Sequence, residues 1–226
     1  MKNNKIKIIL NLLVFTIYYI MPIFLSYIFK LLNVKLANLS NVMVFIVLIS
    51  LDLLPLLFLV IVYRKDFKKD YLNYKNNFIK NIDKYIWLWI FALVIMSLSN
   101  VLISLLSGSD ISNNEQAIRN ITKIFPIYSV ISTSIIAPIA EELAYRKTIR
   151  NVFINKKLSI IMSGIIFGLA HVIGTYTGLV DLLYIIPYGV FGSVFMYIYF
   201  DSDSIFSTIT IHLLHNTLLV IMLFIR

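Results

Sequence analysis

The chain has 226 residues, of which 60% are hydrophobic and only 14% charged, and its mean hydropathy is +0.88. That balance lies far outside the range of soluble domains and marks an integral membrane protein. There is no cysteine, which excludes a disulfide framework, a thiolate metal site and a cysteine nucleophile. The net charge of +9 sits mainly in segments flanking apolar spans, where membrane topology accounts for it without nucleic acid.

About 20 apolar residues are needed to cross ~30 Å of hydrocarbon, and seven such spans follow one another: 8–29, 41–63, 85–107, 124–145, 158–175, 182–200 and 205–225. The expected fold is all-α, a polytopic membrane helical bundle of about seven transmembrane helices forming a single membrane domain over 1–226. The first span follows Lys2, Lys5 and Lys7. It is too long for a cleaved signal peptide and lacks a small-residue cleavage site, so it reads as a retained signal anchor. The second carries Asp52 close to Pro55, an acid that either belongs to a polar conduit or hydrogen-bonds a neighbouring helix.

Between spans two and three lie Arg64, Lys65, Lys68, Lys69, Lys75, Lys80 and Lys84, and the piece "KNNFIKNIDK" is expected to form a short interfacial amphipathic helix. Trp87 and Trp89 open span three as an aromatic belt. The polar stretch "GSDISNNEQAIRN" is expected outside, and Arg146, Lys147, Arg150, Lys156 and Lys157 lie between spans four and five. With the N-terminus inside, the internal segments hold fifteen of the 20 Lys and Arg, so the N-terminus is expected to be cytoplasmic. No internal repeat is visible, and an odd span count does not favour a transporter built from inverted repeats.

The chemistry gathers in the last four spans. "AEELAYR" places Glu141 and Glu142 at the end of span four, although an ionised carboxylate at depth costs several kcal/mol unless it is paired, protonated or facing water. Glu142 and Arg146 are four apart and share a helix face, whereas Glu141 is rotated ~100° away. Glu142 is therefore expected to be the partner of a buried Arg146, leaving Glu141 free to act at the interior. All three histidines, His171, His212 and His215, fall within spans, and Asn216 shares the face of His212.

A free glutamate beside histidines and an asparagine can act as general base on water while imidazole or amide donors hold an oxyanion. The same groups could instead hold a divalent metal, since Glu plus two His leaves an open position for water. Spacing alone does not choose between them.

In order, "EELAYR" fits E-E-x-x-x-R, "FGLAH" fits F-x-x-x-H and "HLLHN" fits H-x-x-x-N, on successive expected helices. This combination resembles the CAAX-protease and bacteriocin-processing family of intramembrane proteases, also called Abi and related to the type II CAAX prenyl endopeptidase. The similarity covers roughly 124–218, a CPBP-like catalytic core. It implies that Glu141 activates water with help from His171, that His212 and Asn216 form the oxyanion site, and that Glu142 and Arg146 support them. It implies either no cofactor, the reading favoured here, or a divalent metal such as zinc on Glu141, His171 and His212. The partners implied are the lipid bilayer and a membrane-associated peptide or protein substrate, with no nucleic acid.

Two departures from the family stand out. Gly192 sits where the family has a close-packing glycine, but Met196 stands where another is expected, and Asp201-Ser202-Asp203-Ser204 replaces a basic-Thr-Gly-Ser turn. A Lys-, Asn- and Ile-rich chain of this length looks like a product of a low-GC bacterium, so a multi-pass place in a bacterial cell membrane is expected. Substrates expected there are a bacteriocin precursor, a signalling peptide or a membrane-protein tail. The alternatives are a non-catalytic bacteriocin-immunity or regulatory protein of the same fold, and a proton relay through Glu141 and the histidines.

Overall fold

In a computed structural model, residues 2–108 and 111–225 are described, with side chains from Asn4 onward. Seven helices are long and apolar enough to cross a membrane, and no strand occurs among the described residues. In chain order the elements are α1 (Asn4–Leu31), α2 (Asn41–Tyr63), α3 (Phe67–Ser107), α4 (Asn113–Ile124), α5 (Pro126–Val152), α6 (Lys156–Ile173), α7 (Leu179–Ser202) and α8 (Ile205–Ile225). All but the short polar α4 are spans. The chain is thus an all-α, multi-pass membrane protein, and helices suit that setting because their backbone groups are satisfied within each segment.

The ends of the helices follow local chemistry. Ser40, Ser112 and Asn155 cap α2, α4 and α6 by accepting the N–H of Met43, Glu115 and Leu158. Gly108 closes α3 in the left-handed region, φ 70°. Pro126 starts α5, where its missing N–H costs no hydrogen bond.

Burial runs opposite to that of a soluble protein. Glu142, Arg146, Ser163, Ser207 and Thr208 are completely buried, whereas Leu105 and Leu106 are 78% exposed. Lipid solvates the outer apolar surface, and inside the bundle a polar cluster is set within an apolar core that includes Leu59, Phe195, Ile198 and Ile205.

The closest packing is between α6 and α7. A Cβ on Gly164 would stand 2.7 Å from the carbonyl oxygen of Gly189, and one on Gly192 would stand 2.8 Å from the Gly164 Cα. Small residues are needed there for the two backbones to approach. Met196, in the place of an expected glycine, is buried with no exposure. The departure in the α7–α8 turn also has a physical account. Asp203 takes φ 47°, ψ 33°, a left-handed conformation that suits glycine but that aspartate tolerates.

Several boundaries differ from the sequence reading. α3 begins at Phe67 instead of near 85, and "KNNFIKNIDK" is no separate interfacial helix but part of it, with a π turn at Tyr74–Phe78 and a kink at Asn81. Tertiary hydrogen bonds hold this segment. Asn73 and Asn77 donate to the carbonyls of Asp203 and Ser202, and Lys84 binds Asp201, so the segment is tied to the α7–α8 turn. α5 continues to Val152, past the expected end at 145, because Arg146 and Lys147 are buried and paired. The polar stretch after α3 forms α4, braced by an ion pair between Arg119 and Glu115.

Candidate active site

α5 carries the two carboxylates on a helix that is not regular. Two π turns, Ser132–Ile136 and Leu143–Thr148, bracket the α-helical stretch Ala137–Glu142. π turns insert one residue into the α pattern and are frequent at functional sites.

Glu142 is fully buried and shared between two partners. His212 Nδ1 lies 2.8 Å from Glu142 Oε1, and Arg146 Nη2 lies 3.2 Å from the same oxygen. Arg146 also donates from Nη1 to Ser163 Oγ at 3.0 Å, and its guanidinium lies over Phe167 and Phe195, 4.5 and 5.6 Å from the ring centroids. The Ser163 oxygen stands 3.0 Å from the Tyr145 carbonyl and 3.2 Å from that of Gly192, which ties the arginine to the α6–α7 contact. The expected burial of Arg146 against Glu142 is present in this geometry.

Glu141 faces elsewhere. Its Oε2 lies 3.6 Å from His212 Nε2, beyond hydrogen-bond range but in electrostatic contact, and the side chain keeps 18% exposure. It opens on a cavity of about 270 Å³ between α1, α2 and α5, lined among others by Tyr18, Tyr19, Asp52, Ser132 and Tyr145. His212 therefore bridges the carboxylates, with Nδ1 on Glu142 and Nε2 toward Glu141.

The other histidines are placed differently. His171 donates from Nδ1 to the Phe167 carbonyl at 2.9 Å, which leaves Nε2 as an acceptor in the neutral ring. The ring stacks on Tyr188, 4.6 Å between centroids, and the Tyr188 hydroxyl is held by Ser112, the N-cap of α4. Phe167 lies next to both His171 and His212, at 4.3 and 6.1 Å. No hydrogen bond or ion pair is recorded between His171 and Glu141 or His212 among the described residues. His215 accepts from Trp89 Nε1 at 3.4 Å and packs on Phe191. Trp89 is thus an internal donor and no part of an aromatic belt, whereas Trp87, 69% exposed, is on the surface.

Asn216 donates from Nδ2 to the carbonyl of Thr133, 2.9 Å away, inside the first π turn. That leaves its second N–H and its amide oxygen for other partners. Ser163, Phe167, Phe195 and Thr133 were not assigned roles from sequence. Only Phe167, as the aromatic of F-x-x-x-H, gave a visible signal.

Glu141, His171 and His212, the residues a divalent ion would use, are not brought to metal-binding spacing, and no such group of three occurs among the described residues. Nδ1 of each histidine is held, by Glu142 or by the Phe167 carbonyl, which orients the ring and leaves Nε2 free for another partner. It is the spacing alone that does not suit an ion, because the three donors do not converge on one point.

Residues 123–218 match the family model described as "Type II CAAX prenyl endopeptidase Rce1-like". Two curated bacterial relatives match part of the chain. "Putative membrane peptidase YdiL" of Bacillus subtilis is 32% identical over 114 residues, 49% of this chain and 43% of the relative. "UPF0177 protein YaiH" of Lactococcus lactis is 37% identical over 105 residues, 46% of this chain and 42% of the relative. The match thus spans less than half the length of each relative. No solved structure matches the chain. The resemblance carried by the three motifs is borne out over that stretch, and at the level of the family it points to an intramembrane protease.

Proposed function

We propose that the chain is an intramembrane endopeptidase that hydrolyses a peptide bond in a membrane-associated protein or peptide, in a bacterial cell membrane. The observation that carries the reading is the division of labour between adjacent carboxylates. Glu142 is neutralised inside the bundle by Arg146 and His212, while Glu141 is partly exposed and faces a cavity in which a substrate water can stand.

Glu141 takes a proton from a water in the cavity as the water oxygen adds to the substrate carbonyl carbon. His171 assists by orienting that water through Nε2. The carbonyl oxygen becomes an oxyanion and accepts hydrogen bonds from the Nε2–H of His212, which in its imidazolium form also donates Nδ1–H to Glu142, and from the second N–H of Asn216. As the C–N bond breaks, Glu141 returns its proton to the leaving amine. Glu142 and Arg146 support this by holding His212 through Nδ1, so that Nε2 points toward Glu141. The reaction uses only the chain's own groups and needs no cofactor.

Topology follows from the charged end of the bundle. Lys7, Lys69, Lys147 and Arg150 line one polar cavity of about 550 Å³, which also contains Asn4 near the N-terminus. We assign that end to the cytoplasm by the positive-inside rule.

The test compares membrane and secreted peptide fragments from cells producing the wild type or Glu141→Gln at matched levels. Loss of particular fragments in the variant is the expected result, and those fragments identify the substrate. Identical fragment lists together with a surviving protective phenotype would overturn catalysis in favour of an immunity or regulatory protein.

A further inference from the structure

Asp52 stands at the middle of α2, in the same cavity as Glu141, and the mechanism above gives it no task. A carboxylate at that depth is costly without partners. Its Oδ2 accepts two hydroxyl hydrogen bonds, from Tyr128 at 2.7 Å and from Ser132 at 2.6 Å. Both donors lie on α5, one turn apart.

Ser132 is the first residue of the π turn Ser132–Ile136. The next residue, Thr133, presents its carbonyl to Asn216 on α8. The turn is therefore held from two sides, by Asp52 of α2 at its first residue and by Asn216 of α8 at its second. Immediately after it comes the stretch Ala137–Glu142 that carries Glu141. A π turn has poorer geometry than the α-helix around it and persists where side chains hold it.

We propose that Asp52 is a positioning residue for the hydrolysis: by holding Tyr128 and Ser132 it fixes the π turn that aims Glu141 into the cavity and Asn216 at its carbonyl. This rests on the reading of Glu141 as the base. Asp52 does not touch the reacting atoms. A catalytic group displaced by about 1 Å can lose 10²-fold in rate, which is the scale of effect available to a residue acting through α5.

The chain contains no cysteine, so Glu141→Cys introduces a single thiol without further engineering. The experiment measures the reaction of that thiol with N-ethylmaleimide, a neutral probe, in purified full-length protein with Asp52 intact, Asp52→Ala or Asp52→Asn. In parallel, kcat and KM are measured on a synthetic peptide spanning the cleavage site that the Glu141→Gln fragment comparison identifies, for Asp52→Ala, Asp52→Asn and Ser132→Ala with Glu141 intact.

Asp52→Ala is expected to change the labelling rate several-fold and to lower kcat by about 10²-fold with little change in KM. Asp52→Asn keeps an oxygen that accepts both hydroxyls and is expected to restore labelling and most of kcat, and Ser132→Ala is expected to show part of the Asp52→Ala defect. Unchanged labelling and kcat in Asp52→Ala, while Glu141→Gln is inactive, would sink the proposal and leave the protease reading standing. Unchanged labelling with equal losses in Asp52→Ala and Asp52→Asn would also sink it, because charge alone would then matter. Absence of any Glu141-dependent cleavage would remove the protease reading, and the labelling ratio would still decide whether Asp52 fixes the turn.

Discussion

Arg146 and Lys147 are neighbours in sequence and both are buried, yet they serve different charge clusters. Arg146 faces the centre, where Glu142, His212 and Ser163 meet it between the faces of two phenylalanines. Lys147 faces the end of the bundle, binding Asp70 at 2.7 Å and the half-exposed Asp66 at 3.2 Å beside the larger polar cavity. One residue of helix is a rotation of ~100°, enough to send successive cations to different surroundings. In the inner cluster each partner is fully enclosed, while at the outer one Lys147 and Asp70 are buried beside an exposed second carboxylate, Asp66, that stands in reserve.

The difference predicts an order of effects. Arg146→Ala strands Glu142 without its guanidinium in a site closed to water. It is expected to lower stability by about 3–5 kcal/mol, read as a loss of Tm and of folded yield in detergent, and retention of the wild-type Tm would show the pair to be dispensable. Lys147→Ala leaves Asp70 and Asp66 near a cavity that water can enter. A smaller loss of about 1.5–3 kcal/mol is expected, and a loss equal to that of Arg146→Ala would erase the distinction between the clusters.

The mildest effect belongs to Asp203 in the α7–α8 turn. Its partial burial pushes the carboxyl up, but hydrogen bonds from Lys69 and Arg150 outweigh that and hold it below the ordinary carboxylate value. A folded-state value below the unfolded one means that the stabilisation is fully present above about pH 4 and is lost as pH falls through the lower folded value. The Tm of the wild type should therefore fall on acidification below that point. Asp203→Asn, which suits the same left-handed backbone, should lack this component, and an identical acid profile in both proteins would remove Asp203 from the account.

Much of the bundle was legible because lipid imposes a simple requirement: seven apolar stretches of sufficient length gave the seven spans. The separation of Glu142 from Glu141 was legible too, because i, i+4 spacing survives the π turn after Glu142 well enough for Arg146 to reach it. Other features depend on departures from regular helix, which hydropathy does not encode. The Asn216 amide is occupied by Thr133 only because a π turn lies there. Trp89 reads as an interfacial aromatic until α8 brings His215 within reach of its N–H. The segment 75–84 reads as amphipathic, but Asn77 and Lys84 are used by a turn more than 110 residues later in the chain.

The two π turns of α5 also bear on how such a site could be lost or gained. Each amounts to one residue more than an α-helix of the same span would contain. Deleting a single codon in 132–136 would leave composition, hydropathy and every motif nearly unchanged and let the turn close as ordinary α-helix with the following carboxylates in register, but it would remove or displace the hydroxyl that Asp52 holds and the carbonyl that Asn216 holds. In a gene of this kind, an in-frame loss of three nucleotides would thus spare the apparent sequence signature while removing the anchor that joins α2, α5 and α8.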